Sequence, residues 1–200
     1  GRPPQIQNDA ILDAARDVFL EEGHGATTAK IAQRAGVSEG ILFYRFKSRS
    51  ALLAAVIERE TLPPVELRDL ARTAADSSFE ENLEKLVTLT LRSVQKASPF
   101  IGIAESSPRS DEVLKLLKNN PNPPPKIVVE LIAGYLVEEM RLGRIRKIDP
   151  FVVGRVILGS CMDFVRAQHL LPLRGDEKAF THGLIDLLLH GVAKPPSRQR

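Results

Sequence analysis

The chain has no tryptophan, two tyrosines and a single cysteine in 200 residues. One thiol, Cys161, cannot form an intramolecular disulfide, so nothing ties the sequence to an oxidising compartment, and a reducing cytoplasm is expected. Also lacking is a basic opening followed by an apolar run and a cleavage site, the mark of export. The most apolar stretch, Phe151 to Leu171, is interrupted by Arg155, Asp163, Arg166 and His169. That pattern describes a buried helix and excludes a membrane as partner. Charge of one sign is not in excess either: 28 basic against 25 acidic residues leave +3, too little to establish a nucleic-acid partner from the total alone.

Catalytic signatures are missing as well. There is no phosphate-binding glycine loop, nucleophile elbow or His-Glu-x-x-His helix, so the chain is not expected to be an enzyme or to need a cofactor. Glu21 and His24 have Glu-x-x-His spacing, but carboxylate di-iron bundles need two such units and two further glutamates. His182, Asp186 and His190 share a helix face at four-residue steps, which leaves at least two ligands unsupplied, so no metal is expected. Cys161 sits on a strongly apolar helix, where a thiol behaves as a small hydrophobe.

What is present is helical period almost everywhere, with no run of clean apolar and polar alternation. The fold class is therefore all-α. After a Pro-rich arm, Gly1 to Gln5, the residues Ile11, Leu12, Ala15, Val18 and Phe19 form one apolar stripe, and Gly23 stops the helix. Short helices follow over Thr28 to Ala35, Glu39 to Arg45 and Arg49 to about Glu60, with Ser38 and Ser48 as N-caps. Pro63 and Pro64 divide an N-terminal module, 1–62, from a longer C-terminal region, 63–200. The latter reads as helices over Phe79 to Ala97, Ser110 to Lys118, Lys126 to Leu142, Phe151 to Leu170 and Lys178 to Ala193. The last two are apolar over more than half their circumference. That excess predicts a homodimer, with Val156, Phe164, Leu184 and Leu188 at the subunit interface.

The informative stretch is TTAKIAQRAGVSEGILFYRFKSRSAL, Thr27 to Leu52. Ile31, Ala35, Val37, Leu42 and Phe46 are the positions that pack two short helices together. Ala32 is small where they approach, and Gly36 falls where a tight turn needs positive φ. This is a helix-turn-helix, whose second helix can enter a major groove. Its 26 residues carry five basic groups against Glu39 alone, whereas the preceding 26 are net acidic, so positive charge is expected at the groove-facing helix.

These residues resemble the DNA-binding module of the tetracycline-repressor-like (TetR) family. The pattern is met by Thr27, Ile31, Ala32, Ala35, Gly36, Val37, Ser38, Gly40, Phe43, Tyr44, Phe46, Arg49 and Leu52. It departs at Phe43, where the family has a tyrosine, at Arg49 for its lysine, and at Ile41 for a threonine or serine. The resemblance implies that Thr28, Phe43, Tyr44, Lys47 and Arg49 hold the DNA backbone, while Glu39, Gly40, Ile41 and Arg45 face base edges. Thr27 and Ser38 belong to the same surface, though Thr27 serves equally, and Ser38 in preference, as a helix cap. The arm carrying Arg2 reads as a disordered end in preference to a minor-groove contact.

By the same resemblance, the partners are a palindromic double-stranded operator, a second copy of the chain, and a small-molecule effector in the C-terminal bundle. Thr90 and Tyr135, hydroxyls within apolar rows, are the candidate effector contacts. The low aromatic share suits an apolar, aliphatic effector. A repressor released by that effector is the expected function. An activator of the same fold, a metal- or redox-dependent helical protein with a vestigial DNA module, and a non-specific architectural DNA protein are the alternatives.

Overall fold

The computed structural model describes residues 4–170 and 176–192, with side chains for 8–168 and 176–191. Arg2 and the tail from Pro195 therefore lie outside the described residues. Among the described residues there are ten α-helices: α1 Pro4–Glu22, α2 Thr28–Ala35, α3 Glu39–Phe46, α4 Arg49–Glu60, α5 Val65–Asp69, α6 Phe79–Glu105, α7 Ser110–Lys118, α8 Pro124–Arg141, α9 Pro150–Leu170 and α10 Glu177–Val192. Among the described residues there is no β-strand. The all-α expectation is met.

Two compact units form, and each draws on two stretches of chain: residues 1–62 with 96–123, and 63–95 with 124–200. One break between the units falls at Pro63. The segment 96–123, assigned from sequence to the C-terminal region, instead belongs with the helix-turn-helix. Packing explains the difference. Phe100 and Ala104 of α6 and Val113 of α7 are buried in one core with Ile11, Val18, Phe19, Ile31, Leu42, Leu53 and Val56. Polar contacts within this unit reinforce them. Ser50 donates to Glu112 at 2.8 Å, and Asn120 donates to Glu58 at 2.9 Å. The buried Glu60 carboxylate meets Lys96 at 3.0 Å and Arg59 at 3.1 Å. Burial opposes ionisation of Glu60, but the bonds and charges of Lys96 and Arg59 prevail and lower its pKa.

Helix α6 also overrides a local signal. A proline inside a helix removes a backbone donor and normally ends it, yet α6 continues through Pro99 to Glu105. The burial of Phe100 and Ala104 just beyond the proline rewards that continuation. At its other end, Ser78 and Glu81 form a capping box: the Glu81 amide donates to the Ser78 hydroxyl, and Glu81 accepts from the Ser78 amide.

The C-terminal unit has its own core, with Leu67, Leu70, Phe79, Leu83, Leu86, Val128, Ile132, Tyr135, Leu136, Ile157, Leu184 and Leu188. Helices α8 and α9 lie close because Gly154 has no side chain. A Cβ there would come within 3.2 Å of the Val129 carbonyl oxygen. Leu184 and Leu188, expected at a subunit interface, are corrected by this core: both are buried within the chain, on the face of α10 that meets the bundle. Phe164 is half-buried and stacks on Phe180 with ring centroids 4.2 Å apart. Of the four expected interface residues, Val156 alone is exposed.

The discontinuous N-terminal unit has a measurable consequence. Phe100→Ala should destabilise the protein by about 3–5 kcal/mol, the usual range for emptying a buried phenylalanine site, in urea unfolding followed by circular dichroism. A loss below about 1 kcal/mol would show that residues near 100 are not part of the helix-turn-helix core.

Candidate nucleic-acid interface and effector region

Three hydroxyl caps build the motif. Thr27, Ser38 and Ser48 precede α2, α3 and α4, and each side chain accepts from the amide three residues on, Lys30, Ile41 and Ala51 respectively. Between α2 and α3 the chain turns at Gly36, with φ 66°, where glycine avoids the strain a Cβ would bring. Ile31 and Ala32 on α2 and Leu42 on α3 are buried, so the two helices pack through these positions.

The opposite side of α3 is open. Ser38, Glu39, Gly40, Ile41, Phe43 and Tyr44 are all exposed, Tyr44 by 74%. Lys47, just past the helix, is exposed too. It adopts φ 65°, donates to the Tyr44 carbonyl at 2.9 Å and lies 5.1 Å from the Tyr44 ring centre. Thr28, half-buried, donates its hydroxyl to Glu39 at 2.6 Å.

Positive charge is less concentrated here than the residue count implies. Lys30 and Arg34 of α2 reach back to Glu22 and Glu21 of α1, at 2.9 and 2.7 Å. Arg45, expected to read a base, is half-buried and donates to Asn8 of α1 at 3.3 Å. Arg49, expected to hold a phosphate, is used inside the module. Its guanidinium donates to the carbonyls of Ala26 at 2.7 Å, Gly23 at 3.2 Å and His24 at 3.5 Å, and lies over the Phe19 ring. The planar fork thus gathers three carbonyls of the α1–α2 connection. Burial, then the charge of Arg109, lowers its pKa from the ordinary arginine value.

In the C-terminal unit, Thr90 is buried and donates to the Leu86 carbonyl at 2.8 Å, so its own helix satisfies it. Tyr135 differs. Its ring stacks on Phe79, and its buried hydroxyl sits beside the Glu139 carboxylate with no hydrogen bond of good geometry among the described residues. Neither oxygen of buried Glu139, one turn on, makes one either, although Arg144 lies 3.5 Å away as an ion pair. Burial, then the neighbouring Glu139 carboxylate, pushes the Tyr135 phenol well above its usual range, so it stays protonated as a donor. Sequence alone gave Glu139 no role, since a glutamate near a helix end usually faces water. A groove of about 530 Å³ runs between α6 and α10, lined by Glu80, Glu84, Glu177 and Asp186 with Lys178 and His182.

Glu21 is held by Arg34, and His24 by Ser106 at 2.9 Å. His190 pairs with Asp186 at 3.2 Å. Among the described residues, no three His, Cys, Asp or Glu side chains gather as metal ligands. Cys161 is fully buried, and burial pushes its thiol up to about 12. No described helix is long and apolar enough to cross a membrane.

Comparison with known proteins agrees with this geometry. Residues 11–56 match the family of bacterial regulatory proteins, tetR family. The HTH-type transcriptional regulator UidR of Escherichia coli (strain K12) is 27% identical over 154 residues, 74% of each chain. The fatty acid metabolism regulator protein of Bacillus subtilis (strain 168) is 22% identical over 201 residues, 96% of each chain. Native NalD, the secondary repressor of the MexAB-OprM multidrug efflux pump in Pseudomonas aeruginosa, shares the fold. It superposes with a TM-score of 0.62 at 24% identity, over 96% of this chain and 98% of its own. Residues 11–56 therefore carry a tetR-family regulatory module, which makes the chain a DNA-binding regulator of transcription.

The placement of Arg49 separates two roles experimentally. Arg49→Met removes the guanidinium from the carbonyls and from the Phe19 ring while keeping a long apolar side chain, and should lower stability by about 1.5–3 kcal/mol, the worth of charged hydrogen bonds. The slope of log affinity against log salt should stay unchanged. A slope reduced by about one, with normal stability, would restore Arg49 to the phosphate-binding set.

Proposed function

We propose that this chain acts in the cytoplasm as a homodimeric repressor, which binds a palindromic operator through α3 and leaves it when a small molecule occupies the C-terminal unit. The observation that carries the DNA-binding surface is the outer face of α3. Ile41, Phe43 and Tyr44 stand exposed around Gly40, on a helix whose other face carries the buried Leu42 and the half-buried Phe46. Gly40 itself is informative. A Cβ there would meet only the Ser38 hydroxyl at 3.8 Å, so folding does not require glycine. Its absence of side chain instead lets the backbone of α3 approach a duplex, with Ile41 able to touch a thymine methyl.

Dimerisation is supported by apolar side chains that the chain leaves uncovered. On α9 these are Phe151, Val152, Val156 and Met162; on α10 Leu187 is 66% exposed. A second copy would cover them, and two α3 helices related by a two-fold axis require a palindromic site. Repression is the reading favoured by NalD, itself a repressor.

For the effector, Tyr135 and Glu139 are the supported anchors and Thr90 is not, because its donor is already in use. A buried tyrosine hydroxyl and carboxylate left unbonded are costly. A ligand with an apolar body, an acceptor for the Tyr135 hydroxyl and a donor for the Glu139 carboxylate would satisfy them. Release then needs only that this ligand favour the state in which the two α3 helices are wrongly spaced for DNA.

Selection of duplexes from a random library by the full-length protein should recover a palindrome. Gly40→Ala should fold at least as stably, since alanine is the better helix former by up to about 1 kcal/mol, yet lose about tenfold or more in operator affinity. Equal affinity would remove Gly40 from the interface. Separately, Leu187→Glu should yield a folded monomer with impaired operator binding in sedimentation and gel-shift assays, whereas Leu184→Glu should unfold the bundle. A Leu187→Glu protein that remains dimeric would place the interface elsewhere.

A further inference from the structure

The hydrogen bond between Thr28 and Glu39 joins the first residues of the two helices of the motif. We propose that this pair is a specificity determinant, in which Thr28 positions the Glu39 carboxylate to select cytosine at one position of each half-site. The inference rests on α3 being the base-reading helix.

The chemistry starts from donor counting. A threonine hydroxyl carries one proton. At 2.6 Å it is committed to Glu39 Oε1, so Thr28 cannot also donate to a phosphate, the role its position in the motif suggests. Glu39 keeps its second oxygen, Oε2, as an acceptor. The backbone at both ends is fixed, because Thr27 caps α2 and Ser38 caps α3. The carboxylate is thus oriented before DNA arrives, which removes much of the rotamer entropy that ordering a free glutamate costs.

Electrostatics narrows the partner. Among the described residues no lysine, arginine or histidine forms an ion pair with Glu39, and the side chain is exposed on the open face of α3. A bare carboxylate facing a duplex is repelled by phosphates and by the base acceptors of the major groove. Guanine presents N7 and O6 there, and thymine presents O4. Only the exocyclic amines of cytosine and adenine are donors. Adenine sets its amine beside the N7 acceptor, which would oppose a carboxylate; cytosine N4 has no such neighbour on its own base. The oriented Oε2 therefore accepts from cytosine and rejects the other three bases. Glu39 contributes discrimination more than affinity, since its repulsion falls on every wrong site.

The test is selection from random duplexes with the full-length wild type, Glu39→Gln, Thr28→Val and Thr28→Ser, followed by titration of each against operators carrying all four bases at the affected position. Wild type should fix cytosine there. Glu39→Gln should move the preference toward adenine, which glutamine reads through N6 and N7, changing the cytosine-to-adenine ratio about tenfold or more. Thr28→Val, which keeps shape but loses the donor, should keep cytosine with several-fold weaker discrimination, and Thr28→Ser should restore it. A mere structural role for Thr28 would weaken all operators alike. A palindrome recovered by wild type and left unchanged at every position by Glu39→Gln overturns the assignment of this pair alone. A wild type that selects no sequence at all overturns the base-reading role of α3 and this assignment with it.

Discussion

Two helices of eight residues cannot hold their shape alone in water, because nucleation is unfavourable and each has too few hydrogen bonds to repay it. Everything in the N-terminal unit answers that constraint. Hydroxyl caps at Thr27 and Ser38 begin α2 and α3, and the buried Ile31, Ala32 and Leu42 press the pair against α1 and α4. Arg49 then ties the start of α4 to the carbonyls of the preceding connection. With one face so firmly built, the other is left for a partner.

That outer face has an unusual balance. Lys30 and Arg34 answer the acidic end of α1, and Arg45 reaches Asn8, so much of the local charge is engaged within the module. Exposed apolar and aromatic side chains, a bare glycine and one carboxylate remain around the tip of α3. On the proposed reading, such a surface would discriminate through shape and base-edge chemistry, with less of its binding drawn from phosphates than a strongly basic helix would give.

The elements of the module were legible because local signals agreed with one another. Ser38 and Ser48 cap, Gly36 turns, and the apolar spacing from Ile31 to Phe46 fits only two helices packed face to face. What was not legible was which partner each side chain chooses. A lysine-to-arginine replacement at Arg49 preserves charge in the pattern, but only coordinates reveal that the guanidinium turns inward. Period correctly showed excess apolar surface on α9 and α10. It could not show that Leu184 and Leu188 face the bundle while Leu187, between them in sequence, faces out. Pro99 was the most misleading residue, because a local breaker hid long-range packing by Phe100.

The return of residues 96–123 to the first unit also has a meaning in time. When Leu62 leaves the ribosome, the seat for Phe100, Ala104 and Val113 is still uncovered. At ordinary synthesis rates the missing segment follows about 3–12 s later. For that interval the nascent chain presents a half-built apolar core, while the helices of the other unit begin to emerge before the first is complete. The newborn regulator is therefore most exposed to chaperones and proteases through the very module that will bind DNA, and that exposure ends only when the polypeptide has passed the end of α7.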